Sequence, residues 1–106
     1  MDTLSGVSAT GAPSDDEIAL IAQTYRLLGD ATRLRILLAC LEGPLPVNEI
    51  ARRIDASQSL VSHHLRLLRD ARLVRGTRRN KEVHYEADDD HIRHMLVDMI
   101  EHVGEK

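Results

Sequence analysis

Over most of the chain the apolar positions recur at helical spacing. Ser14-x-x-Glu17 forms a capping-box pattern, with Asp15 and Asp16 in the first turn where the helix dipole favours them. Ile18, Ile21, Ala22, Tyr25 and Leu28 follow on one face, and Gly29 closes the segment. Asp30 is placed to cap a second helix with Leu34, Leu37, Leu38 and Leu41 on one stripe, stopped by Gly43-Pro44. A third helix from about Val47 to Ile54 is expected to bury Val47, Ile50, Ala51 and Ile54. After Asp55-Ala56, Ser57 caps a fourth helix reaching about Ala71. The period then changes. Leu73-Val74-Arg75 and Val83-His84-Tyr85 read as two strands joined through Gly76, Thr77, Arg78, Arg79, Asn80 and Lys81. A last helix from Asp90 to about Val103 carries Ile92, Met95, Leu96, Met99, Ile100 and Val103. Residues 1–13, rich in Ser, Gly, Thr and Ala without an apolar period, read as a disordered tail, which leaves 14–106 as one domain.

Composition narrows this outline. A chain of 106 residues is the length of one domain. Its apolar fraction of 42% against only 2% aromatics means that Leu, Ile, Val and Ala must build the core, which favours helices over a β-sandwich. The expected fold is therefore mainly α with a small β-hairpin. The two short helices at 47–71, separated by a tight turn and followed by the hairpin, make a winged helix-turn-helix. No apolar run approaches the roughly 18–20 residues of a membrane span, and no signal peptide is visible. Cys40 is the single cysteine, so an internal disulfide and Cys-rich zinc folds are excluded and a cytoplasmic location is expected. The first and last helices both carry apolar stripes that a three-helix core and a hairpin cannot cover. A homodimer built on these two helices is expected.

The net charge of −3 conceals three blocks. Residues 1–50 carry a net −4, residues 51–81 a net +7, and residues 82–106 a net −6. A basic block in the middle is a footprint for an anionic partner, and an acidic tail with several His points to a cation. On the fourth helix Gln58, Ser59, Ser62, His63, Arg66 and Arg69 occupy an arc of about 140°, opposite Leu60, Val61, Leu65, Leu67, Leu68 and Ala71, which are expected to pack on the domain. Short polar groups near the helix start and Arg farther along suit entry into a major groove. Arg75, Arg78, Arg79 and Lys81 on the hairpin are placed to reach phosphates beside it.

Asp30-Ala-Thr-Arg-Leu-Arg-Ile-Leu-Leu38, Val61-Ser-His-His-Leu-Arg-Leu-Leu68 and the strand-like Val83-His-Tyr85 resemble the ArsR/SmtB bacterial winged-helix repressors, over residues 18 to 105. The resemblance implies a symmetric dimer on a double-stranded, inverted-repeat operator, released by an inducer. Two features depart from the family pattern. Leu45-Pro46-Val47-Asn48 offers no thiolate where arsenite- and cadmium-sensing members carry them, and Asn80 stands where many relatives have Gly.

The terminal helix carries the candidate metal ligands. Asp89-x-His91 precedes His102-x-x-Glu105. His91 and His102, eleven residues apart, share an azimuth within about 20° but lie roughly 16 Å apart along the axis. Metal–nitrogen bonds of about 2 Å cannot span that distance within one helix. A second copy lying antiparallel resolves it. Asp89 and His91 of one chain would face His102 and Glu105 of the other, giving two equivalent sites per dimer. The same spacing matches the terminal-helix motif of the zinc- and cobalt-responsive branch of the family. His94 and Asp98, at i,i+4, form a competing pair. Two imidazoles and two carboxylates suit zinc first, with nickel or cobalt next.

The expected function is a metal-releasable transcriptional repressor. Alternatives are a metal-buffering or metal-delivery protein that reuses the fold, and a regulator whose metal acts as co-repressor or activator. An enzyme is not expected, because no nucleophile–base arrangement and no phosphate-cradling glycine loop is present.

Overall fold

The computed structural model describes residues 11–105. The elements run α1 (Asp15–Leu28), α2 (Ala31–Cys40), β1 (Leu45–Pro46), α3 (Val47–Ile54), α4 (Gln58–Asp70), β2 (Val74–Arg79), β3 (Glu82–Ala87) and α5 (Asp90–Gly104). Most of the tail expected at residues 1–13 lies outside the described residues. Among those described, no helix is long and apolar enough to cross a membrane.

Local chemistry starts the helices where the caps stand. At α1 the capping box closes in both directions: the Ser14 hydroxyl accepts from the Glu17 N–H at 3.1 Å, and the Glu17 carboxylate accepts from the Ser14 N–H at 2.8 Å. Asp30 accepts from the Arg33 N–H at 3.0 Å and Ser57 from the Leu60 N–H at 3.1 Å. Each such cap contributes about 0.5–2 kcal/mol. Asp55, in the left-handed region at φ 57°, turns the chain between α3 and α4, and Ala56 N–H bonds back to the Ala51 carbonyl at 3.0 Å. Those two helices thus leave each other within three residues.

The core lies between α2, α3, α4 and the base of the hairpin. Ile36, Leu37, Cys40, Ile50, Val61, Leu65, Leu68, Leu73 and Val74 are all fully buried, and Leu28 and Leu96 close it from α1 and α5. The expected stripe on α2 needs correction. Ile36, Leu37 and Cys40 point into the core, whereas Leu34 and Leu38 line an apolar groove with Leu96, Met99, Ile100 and Val103 of α5. The helix is apolar on two sides, so a single stripe fitted only one of them.

The sheet also differs from expectation. It has three strands in the order β1-β3-β2, all antiparallel. The outer strand β1 is only two residues long and contains Pro46, which an edge tolerates because it needs no ladder N–H there. The hairpin strands extend to Arg79 and back from Glu82, so only Asn80 and Lys81 form the turn. The longer linker expected from Gly76 to Lys81 is therefore mostly strand. Almost all of β2 is exposed, so no apolar alternation marked it. Asn80 takes the left-handed position at φ 57°, which Asn tolerates better than most residues.

Gly76 sits opposite Tyr85 in the ladder. A Cβ there would meet Val83 Cγ1 at 2.8 Å and Tyr85 Cε1 at 3.0 Å. Val83 is β-branched and stiff, so the hairpin itself must shift. Gly76→Ala is expected to destabilise the domain by about 1–3 kcal/mol, read as a lowered midpoint in denaturant unfolding. An unchanged midpoint would show that the wing repacks freely.

Candidate nucleic-acid interface and metal centre

α4 presents Gln58, Ser59, His63, Arg66 and Arg69 to solvent, with Ser62 half-buried, while Val61, Leu65 and Leu68 fix the helix on the core. The polar arc expected from the sequence thus faces outward as one surface. Leu60, assigned to the packed side, is exposed, because it lies at the margin of the buried stripe. The basic residues differ in what already holds them. On α3, Arg52 and Arg53 are engaged by Glu49, and Arg53 also by Glu42. The two guanidinium groups hold the Glu49 carboxyl down to about 2, so the positive charge of α3 is largely answered within the chain. Arg75 donates to the Asp88 carbonyl at 3.0 Å and stands 3.6 Å from Glu86. Arg69 lies 3.7 Å from Asp70. Among the described residues Arg66, Arg78, Arg79 and Lys81 make no ion pair, and the last three crowd the hairpin tip. A groove of about 440 Å³ between Gln58 and the hairpin residues Glu82, Val83 and Tyr85 joins this tip to the start of α4.

Two interactions tie the outer helices to this body. Arg93 of α5 donates to the Leu41 carbonyl at the end of α2, at 2.6 Å. Arg33 of α2 donates through Nε to the Leu27 carbonyl of α1 at 2.7 Å, and its Nη1 lies 3.4 Å from His64 Nδ1 on α4. Arg33 entered the sequence reasoning only as a letter of a motif. Nothing in local spacing reveals a contact across 31 positions.

On α5 the candidate ligands separate as the spacing demands. Asp89 caps the helix, one oxygen accepting from the Ile92 N–H at 3.0 Å and the other standing 3.7 Å from His91 Nδ1. The cap bond, with the neighbouring His91, holds the Asp89 carboxyl below its usual range, so it is charged and one oxygen remains for a cation. His91, His94, Asp98 and His102 line one shallow groove with Met95 and Met99. All four polar members are exposed. The helix ends at Gly104, and Glu105 follows in extended backbone, its N–H bonded to the His102 carbonyl at 3.3 Å. Within one chain, no three His, Cys, Asp or Glu side chains among the described residues lie close enough to hold an ion. Asp89 and His91 stand at one end of α5, and His102 and Glu105 at the other. Cys40 is fully buried in the core, and burial pushes its thiol up to about 12.

Much of the large apolar surface left uncovered sits on the outer helices. Ile18, Leu20, Ile21 and Tyr25 are exposed on α1, and Val97, Met99, Ile100 and Val103 on α5.

Comparison with known proteins adds three findings. Residues 30–75 match the model of a family described as bacterial regulatory protein, arsR family. Two transcriptional regulators of Mycobacterium tuberculosis are similar over most of their length. KmtR is 36% identical over 93 residues, covering 85% of this chain and 72% of that protein. NmtR is 38% identical over 100 residues, covering 93% and 83%. Among solved structures, the AntR antimony-specific transcriptional repressor superposes with a TM-score of 0.73 at 28% identity, covering 88% of this chain and 87% of that one.

Proposed function

The chain belongs to the arsR family of bacterial regulatory proteins, and from that membership we propose that it is a repressor which holds operator DNA as a homodimer and releases it on binding a divalent transition metal. One observation carries the metal half of the proposal. α5 sets Asp89 and His91 at one end and His102 and Glu105 at the other, with the two histidines along one exposed groove and no complete site within one chain among the described residues. Two antiparallel copies of α5 bring the halves together twice. The donor set of two imidazoles and two carboxylates fits zinc first, then nickel or cobalt. The similarity to AntR, an antimony-specific transcriptional repressor, supports an inorganic effector. Apolar residues uncovered on α1 and α5 support the dimer.

DNA contact divides between the two basic surfaces. Gln58, Ser59, Ser62, His63 and Arg66 face the base edges, with Arg69 at the far end of the helix. Arg78, Arg79 and Lys81 reach phosphates from the hairpin tip, and Arg75 stands at its base, already bonded to Asp88. Drawing four ligands from two chains onto one ion fixes the separation and angle of the α5 pair. α5 is anchored to α2 through Arg93, so the two α4 helices move with it, and half-sites one DNA turn apart fit only one dimer geometry.

The test begins with duplexes enriched by this protein from a random pool, followed by anisotropy titrations with zinc, nickel and cobalt. Metal is expected to weaken binding to the enriched duplex by about 5- to 150-fold, and the duplex to weaken metal binding by the same factor. Tightening instead of release would make the metal a co-repressor or an activator's ligand. Failure to enrich any duplex would favour a metal-buffering protein.

A further inference from the structure

We propose that Arg33 and His64 form a strut that positions the recognition helix α4 against α1 and α2, and so sets operator affinity without touching DNA. The proposal rests on α4 being the helix that reads DNA. Two side-chain contacts define the strut. The Arg33 guanidinium takes up the Leu27 carbonyl at the end of α1 and reaches His64 Nδ1 on α4, while the Arg33 backbone N–H donates to the Asp30 carboxylate that caps α2. The Leu27 carbonyl is one of the acceptors that a helix end leaves without a partner. One side chain therefore joins the end of α1, the start of α2 and the middle of α4.

The chemistry of the contact fixes the protonation of His64. A guanidinium only donates, so Nδ1 must accept and the ring must be the neutral Nε2–H form. On the helical wheel His64 lies on the flank of α4 toward α1 and α2, away from Ser59, His63 and Arg66. Half-burial and the Arg33 charge favour the neutral ring, and burial is the larger cause; Asp30 opposes them, and His63, with its ring centre 5.4 Å away, adds to the lowering. Protonation would place an N–H against the guanidinium and break the strut. The contact is thus made above the range where His64 titrates and is lost as pH falls through it.

The experiment measures affinity for the enriched duplex in Arg33→Met, His64→Leu, His64→Gln and the Arg33→Met/His64→Leu double variant, with unfolding midpoint and dimer mass as controls. His64→Leu should weaken binding by about three- to ten-fold, the worth of one net hydrogen bond, and Arg33→Met, which also removes the Leu27 bond, by at least as much. The double variant should be no weaker than Arg33→Met, because His64 acts only through Arg33. His64→Gln keeps a neutral acceptor. It should stay within about two-fold of the parent and lose the weakening of binding on acidification that Arg33→Met also lacks. Additive losses in the double variant, or full affinity in Arg33→Met, would overturn the strut. A parent protein that enriches no duplex would instead remove the DNA-reading role on which it rests.

Discussion

His102→Ala abolishes the release of DNA by metal and leaves metal-free affinity for the enriched duplex within about two-fold. The asymmetry follows from position. His102 lies in the last turn of α5 and is exposed, whereas the groups proposed to face DNA lie on α4 and at the tip of β2 and β3. Loss of an outer-sphere partner alone costs a metal site about ten- to a hundred-fold in affinity, so loss of a direct imidazole ligand costs at least as much. His91→Ala should behave identically, because it removes the other imidazole of the same proposed site. His94 supplies the contrast. It shares the groove with both residues and pairs with Asp98 at i,i+4. If His94→Ala loses metal while His91→Ala and His102→Ala keep it, the ligands lie within one helix and the bridging geometry fails.

Alanine at Arg78 and at Arg79 should weaken binding to enriched and random duplexes alike, and each should flatten the log–log salt dependence by about 0.9. Both residues sit at the hairpin tip without an ion pair among the described residues, so neither carries an internal role that its loss would disturb. Gln58→Ala and Ser62→Ala should act differently. They should reduce the preference for the enriched duplex by about 1–3 kcal/mol and leave the salt slope unchanged. Arg75→Ala should fall between the two classes, since its guanidinium already serves Glu86 and the Asp88 carbonyl. Equal loss of specificity from wing and helix variants would show that the two surfaces do not divide the work in this way.

Helix starts were legible in the sequence because a cap is local. Ser14, Asp30 and Ser57 each need only a partner three residues on, and Ser14 with Glu17 forms the full box, whereas Asp89, read in the sequence as a cation ligand, is seen to cap α5 only in the structure. The buried faces of α3 and α4 were legible for the same reason, one period serving one core. α2 was harder, since its apolar residues serve both the core and the groove against α5. β1 left no signal because two residues have no period, and its pairing with Tyr85 and His84 is entirely non-local. The extent of the wing was hidden by the exposure that suits it to an external partner. At the proposed metal centre, helical rise alone sets the distance between the two histidines, and the separate halves follow from it. Glu105 in extended backbone, the engagement of Arg75 and the reach of Arg33 to His64 depend on tertiary placement that no spacing encodes.

The bridging of two chains by metal is tested most directly by mixing two defects. Chains carrying His91→Ala and chains carrying His102→Ala, distinguished by tags, are purified as the mixed dimer and titrated with zinc beside each homodimer. In the mixed dimer one site receives His91 from one chain and His102 from the other, and is complete, while the second lacks both. The account predicts one tightly bound zinc per mixed dimer, two per parent dimer, and none in either variant homodimer. A mixed dimer that binds no better than the homodimers would contradict it.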